Sequence, residues 1–145
     1  MSSPVAPQDS PVKWVNDHIK EYVSSGGAEG YKWRRGTEIL LLTTIGRRSG
    51  TPRRTALIHR EVDGNYAVVA SNGGAVKHPM WYLNLVANPE VKVQVKDQEF
   101  DAVARTAEGE ERARLWDLLA EVWPNYNDYQ TKTDREIPII VLEPR

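Results

Sequence analysis

With 145 residues the chain fits one domain and is long enough to bury a core without cross-links. It has no cysteine, which excludes disulfides and thiolate metal sites, and His18, His59 and His78 stand at no metal-ligand spacing, so no metal is expected. A net charge of −1 argues against a general nucleic-acid binder, no stretch is apolar enough to span a bilayer, and no signal peptide is visible; a cytoplasmic protein is expected.

Met1–Ser10 is small, polar and proline-containing and is expected to be a disordered tail before a single domain over 11–145. Ser10 followed by Pro11 signals a helix start. Val12, Val15, Ile19, Tyr22 and Val23 recur at helical spacing until Gly26-Gly27 stops the helix, with Trp14 near the apolar stripe. That stripe can cover the core, a partner or a lipid surface, so weak peripheral membrane contact through the Pro11–Ser25 helix stays open. Glu38–Ile45 predicts a central strand. Gly46-Arg47-Arg48-Ser49-Gly50-Thr51-Pro52 predicts a turn, Arg53–Val62 a second strand, and Asp63-Gly64 a hairpin into the strand Tyr66–Ala70.

That third strand empties into Ser71-Asn72-Gly73-Gly74, followed by Lys77 and by Pro79 at the head of a short helix through Leu85. Glycine pairs let backbone N–H groups approach a ligand, and a helix start favours anions; an ordinary strand-to-helix turn has the same form. Leu83 and Leu85 are expected in the core, and the Asn84 amide is expected to bond a ring or a chain turn. Asn88-Pro89 ends the helix.

Val91, Val93 and Val95 alternate with polar residues as a half-buried strand, and Glu99–Arg105 pairs back on it. Glu108–Val122 is an amphipathic helix with acidic residues at its start. Trp123–Tyr129 reads as an aromatic loop, and Ile137–Leu142 as a last strand whose proline suits an edge or a first residue. Tight hairpins imply antiparallel pairing. The fold predicted is α+β, a small and partly open antiparallel barrel of about six to seven strands with flanking helices.

Lys32, Arg34, Arg35, Arg47, Arg48, Arg53, Arg54 and Arg60 fall in a span whose only acid is Glu38, whereas Asp97–Glu121 is mostly acidic. Such asymmetry can focus an anionic ligand while total charge stays near zero. Two arginines in a glycine-flanked turn offer forked donors, although the turn lacks the ending of a P-loop. Trp123, Tyr126 and Tyr129 supply rings for one wall over a flat ligand, or a cap on the barrel end. No nucleophile elbow or Ser-His-Asp order stands out. The residues describe a binding site for a flat, acid-tailed molecule that carries its own chemistry.

Three segments together resemble the deazaflavin-dependent nitroreductase family of F420-dependent split β-barrel reductases. They are Leu42–Arg53; Val69–Gly74 with Pro79–Leu85; and Tyr126-Asn127-Asp128-Tyr129-Gln130 with Ile137-Pro138-Ile139. The resemblance implies a split barrel, coenzyme F420 as cofactor, and hydride transfer to a small electrophilic acceptor, a quinone foremost with nitroaromatics as surrogates. It assigns cofactor binding to Arg47, Arg48 and Ser49; to Arg53, Arg54, Thr55, Ala56, Leu57 and Ile58; to Val69, Ala70, Ser71 and Asn72; and to Met80, Trp81, Tyr82, Leu83 and Asn84. Gly73, Gly74 and Lys77 complete the loop. Tyr126 falls near both ring and acceptor, and Trp123 and Tyr129 match a substrate wall. Ser71 and Tyr126 carry hydroxyls suited to hydrogen-bonding the acceptor. Asn72 stands where well-known relatives have lysine, Ile58 where an aromatic is common, and Trp123 in place of a tyrosine, so acceptor preference does not transfer. An FMN-dependent split-barrel oxidoreductase and a non-catalytic F420 or lipid carrier are the alternatives; oligomeric state is left open.

Overall fold

The computed structural model describes residues 13–33 and 37–145. The predicted N-terminal tail, the Ser10-Pro11 helix start, and Arg34 and Arg35 lie outside the described residues, as does the side chain of Trp14.

Six antiparallel strands form a closed barrel in the order β1-β2-β3-β6-β5-β4. They are β1 (Glu38–Ile45), β2 (Pro52–Val62), β3 (Asn65–Val69), β4 (Glu90–Val95), β5 (Gln98–Thr106) and β6 (Ile139–Pro144). The ring closes where Leu41, Leu42 and Thr43 of β1 pair with Gln94, Val93 and Lys92 of β4. This closure differs from the partly open barrel expected, and it removes the free sheet edges that would otherwise template aggregation. β1 makes it possible because both its faces are covered. Leu40 and Leu42 point into the barrel with Val68, Val91, Val93, Ile140 and Leu142, while Ile39 and Leu41 pack outward against α1 (Lys13–Ser24). A strand buried on both sides needs a continuous apolar run, which Ile39–Leu42 supplies.

The hairpin after β2 turns at Asp63 and Gly64 with φ of 53° and 82°, the left-handed pair that a tight two-residue hairpin requires. A 3-10 turn (Asn72–Gly74) and α2 (Met80–Ala87) follow β3, and Leu85 of α2 joins the barrel interior. α3 (Gly109–Val122) packs Leu115 and Leu119 on the outer face of β3 and β6 with Ala67, Val69, Ile139 and Val141.

Two boundaries depart from expectation. The segment predicted as an aromatic loop folds from Asn125 as α4 (Asn125–Thr131). Pro124, with φ of −57°, takes the pre-helical position that its ring geometry suits, and the Trp116 indole N–H donates to Asn127 Oδ1 at 2.8 Å, tying α4 to α3. The last strand begins after Pro138, whose carbonyl accepts from the Ala70 N–H at 2.9 Å; it is interior to the sheet order, not an edge.

α1 packs Ile19 and Tyr22 of its stripe on the barrel, both fully inaccessible, while Val23 stays exposed. The Tyr22 hydroxyl donates to Ile39 O at 3.0 Å and accepts from the Lys96 N–H at 2.6 Å. A Cβ on Gly27 would stand 2.2 Å from Lys96 Cα, so glycine there lets the helix end settle on the β4–β5 turn. Among the described residues, no helix is long and apolar enough to cross a membrane.

Candidate active site

A cleft of about 440 Å³ opens beside β2. Thr55, Ala56, Leu57 and Ile58 line it from the strand. Val15 and His18 of α1, Trp33, Val69, Ser71, Asn72, Pro79, Trp81, Trp123, Tyr126 and Tyr129 complete the lining together with Ile39. Strand, glycine loop, α2 and the aromatic segment are far apart in sequence yet meet here. The described lining contains no carboxylate, lysine or arginine.

The loop that brings Ser71 and Asn72 to this lining is held by a residue that no sequence signal marked. Arg135 donates to Ala70 O at 3.2 Å, Ser71 O at 2.7 Å and Ala75 O at 2.9 Å. It also bonds His78 Nδ1 at 3.0 Å. A guanidinium only donates, so Nδ1 is the acceptor and the His78 proton sits on Nε2. Partial burial and the neighbouring Arg135 charge hold His78 below its ordinary pKa. One side chain thus fixes the strand end, the glycine turn and the entry to α2 in a single geometry.

Gly74 serves a packing purpose. Its φ is +82°, and a Cβ there would lie 2.7 Å from Tyr129 O, so its bareness lets α4 bring Tyr126 and Tyr129 over the loop. Lys77 is exposed and outside the lining; its carbonyl accepts from Asn72 Nδ2 at 3.0 Å. Ala70 is fully buried behind the loop.

The arginine turn adjoins the cleft through α2. Asn84 is 5% exposed; its Oδ1 accepts the Arg47 N–H at 3.1 Å, and its Nδ2 donates to Thr44 Oγ1 at 3.2 Å. The amide therefore braces the chain turn, one of the two roles expected for it. The Arg47 guanidinium approaches Met80 Sδ at 4.0 Å, one residue before Trp81 enters the cleft. Arg47, Arg48, Ser49 and Arg53 are exposed, and Ser49 Oγ accepts from the Thr51 N–H at 3.2 Å. Arg54 parts from this group: it lines a separate groove with Thr43, Lys92, Glu99 and Asp101, because its side chain leaves β2 toward the β1–β4 side. Tyr82 packs on the barrel cluster and against the His78 ring, at 4.7 Å between centroids. Leu83 is half-buried and Met80 exposed.

On the aromatic side, Trp123 stacks on Trp33 at 5.6 Å, and Tyr126 meets Tyr129 edge-on at 6.2 Å. Burial pushes the Tyr126 phenol well above its ordinary pKa, so it remains an O–H donor. Val15, His18, Trp33 and Pro79 were not singled out as site residues; they are lone side chains on the α1 stripe, a connector and a helix start, and only the fold brings them to the cleft. Among the described residues, no cluster of three histidine or acidic groups could hold a metal.

Comparison with known proteins gives the family of the chain. The sequence model of the F420H(2)-dependent quinone reductase family matches residues 14–144. An F420H(2)-dependent quinone reductase of Mycobacterium tuberculosis is 36% identical over 137 residues, covering 92% of each chain. A solved F420-H2 dependent reductase, FDR-A, superimposes with a TM-score of 0.68 at 51% identity, covering 72% of this chain and 93% of that one. A second structure, described as a domain-swapped dimer, reaches a TM-score of 0.72 at 45% identity over 92% of this chain and all of its own. The chain belongs to the F420H(2)-dependent quinone reductase family and is an oxidoreductase whose cofactor is coenzyme F420.

Proposed function

We propose that the cleft on β2 holds the reduced deazaflavin and a quinone together, and that the Arg47–Arg53 turn holds the acidic tail of the cofactor. The observation that carries this reading is the meeting of Thr55–Ile58, Ser71–Asn72 and Trp81 with Trp123, Tyr126 and Tyr129 around one cavity. The residues fit the group. The lining is largely apolar and aromatic, as a flat ring requires, and the arginine turn is exposed and reaches α2 at Met80, next to the cleft residue Trp81, as an anionic tail requires. When bound, the reduced cofactor supplies a hydride. The chain's own contribution is alignment and exclusion of water: Thr55–Ile58 and Trp81 would seat the ring, and the Trp33–Trp123 stack would shield the acceptor side. Tyr126, held protonated, and Ser71 would donate hydrogen bonds to an acceptor oxygen as negative charge develops on it. Nitroaromatics are surrogate acceptors with the same demand.

Fluorescence titration with F420, with FMN as competitor, tests the reading. The expected result is F420 binding that FMN displaces poorly, because the longer anionic tail uses the arginine turn, together with turnover of quinones. Arg53→Ala should weaken F420 by roughly tenfold while the melting temperature holds, since an exposed charge-assisted contact is worth about 1.4 kcal/mol. No binding at tens of micromolar, or equal binding of FMN, would overturn it.

A further inference from the structure

We propose that His18 is the proton donor to the acceptor, using Nδ1. The inference rests on the quinone-reductase reading above and adds a catalytic residue to it. His18 projects from α1 into the cleft lining. Its Nε2 lies 2.6 Å from Gly30 O. A carbonyl can only accept, so Nε2 carries a hydrogen, and the site for the exchangeable proton is Nδ1. The seat is built for the ring. Gly30 has φ of +89°, and a Cβ there would come within 3.1 Å of His18 Cδ2 and 3.2 Å of Nε2, so a side chain at position 30 would be strained and would press on the imidazole.

Reduction of a quinone needs a proton as well as a hydride. The acceptor gains two electrons with the hydride from the bound, reduced cofactor, and one oxygen becomes anionic. That oxygen takes the proton from Nδ1: the N–H bond breaks, an O–H bond forms, and the neutral imidazole regains its proton from water. Among the described residues of the lining, the titratable groups are His18 and the phenols of Tyr126 and Tyr129. Tyr126 is held protonated by burial, which suits a hydrogen-bond donor and not a group that must release a proton at neutral pH. Imidazole is the side chain that most often transfers a proton in such a step. The face of α1 toward the cleft also brings Val15, which carries no charge.

Two measurements test this. In the first, the cofactor-free wild-type chain is titrated with a substituted hydroquinone while long-range proton–nitrogen NMR follows the His18 ring. The expected result is a shift of Nδ1 with Nε2 little moved. If the Trp123 indole shifts and His18 Nδ1 does not, His18 is not the donor. If no cleft residue shifts, the acceptor reading of the cleft fails instead. In the second, His18→Gln is assayed with F420H2 and a series of quinones. Turnover should fall about 100-fold for quinones whose reduced oxygen is strongly basic and change little for halogenated quinones whose reduced form is acidic. F420 affinity should hold. An equal loss across the series, or no loss, would overturn the assignment, whereas a wild-type chain inert to every quinone would overturn the function it rests on.

Discussion

Replacing Arg135 by alanine is the perturbation that most directly probes the architecture of the site. The guanidinium serves three carbonyls, those of Ala70, Ser71 and Ala75, at 3.2, 2.7 and 2.9 Å. Each such bond contributes about 1 kcal/mol net, so the full set amounts to about 3 kcal/mol. Arg135 is only half-buried and water can reach part of the vacated space, which brings the expected loss to about 2 kcal/mol. Where that energy appears depends on how the loop fails. If the loop stays in the cooperative unit, the melting temperature drops by about 4–8 °C. If it loosens locally, ligand binding must re-order it, and F420 affinity falls about 30-fold. The assays are fluorescence titration with F420 and thermal melting on the same samples. Arg135→Lys, which reaches fewer carbonyls, should fall between wild type and alanine, and millimolar guanidinium should partly restore Arg135→Ala. Unchanged affinity together with an unchanged melting temperature would refute the reasoning, because the lost bonds would then carry no energy anywhere.

Asn84→Ala removes the amide that joins the arginine turn to β1, leaving the Arg47 N–H and the fully buried Thr44 hydroxyl without that partner. A stability loss of about 2 kcal/mol in urea and weaker F420 binding are expected. Gly74→Ala should push α4 away, since the new Cβ would fall 2.7 Å from Tyr129 O at a φ of +82°. The Michaelis constant for the quinone should rise more than the dissociation constant of F420, because Tyr126 and Tyr129 move while the arginine turn does not. Stability should also depend on His59, which is 5% exposed, has no partner for Nδ1 and lies between the rings of Tyr31 and Tyr66. Burial lowers its pKa from 6.5 to about 4. The unfolded chain therefore binds the proton more readily, so this contribution is complete above pH 6.5 and is lost as pH falls toward 4, by about 3 kcal/mol at most. Urea melts between pH 7 and 4 should show the loss, and His59→Phe should flatten it.

Much of this arrangement was legible in the sequence because it is encoded locally. The apolar run Ile39–Leu42, the alternation of Val91, Val93 and Val95, and the Asp63-Gly64 turn each carry their own geometry, and the observed strands follow them. What stayed hidden is non-local. Closure of the barrel depends on β1 meeting β4, with Leu41 pairing with Gln94, 53 residues away, and no periodicity records which strands are neighbours. α4 escaped because a seven-residue helix rich in asparagine and aromatics has weak intrinsic preference and is held by Trp116 and the barrel. Arg135 sits in an unpatterned, mixed-charge connector, so its partnership with Ala70, Ser71 and Ala75 had no local signature. The resemblance assigns Arg54 to the cofactor together with Arg53, while in the fold Arg54 lines the groove beside Thr43 and Lys92.

Trp123 and Tyr126 face the cleft and are also buried in the layer that joins α3 and α4 to the barrel. Enlarging or reshaping the acceptor pocket through either ring would therefore loosen the scaffold at the same stroke. Val15 and Tyr129 are half-buried and pack against core clusters without being buried in them, so they carry a lighter share of that double obligation. Diversification toward new electron acceptors, by evolution or in the laboratory, has its open route through those two positions.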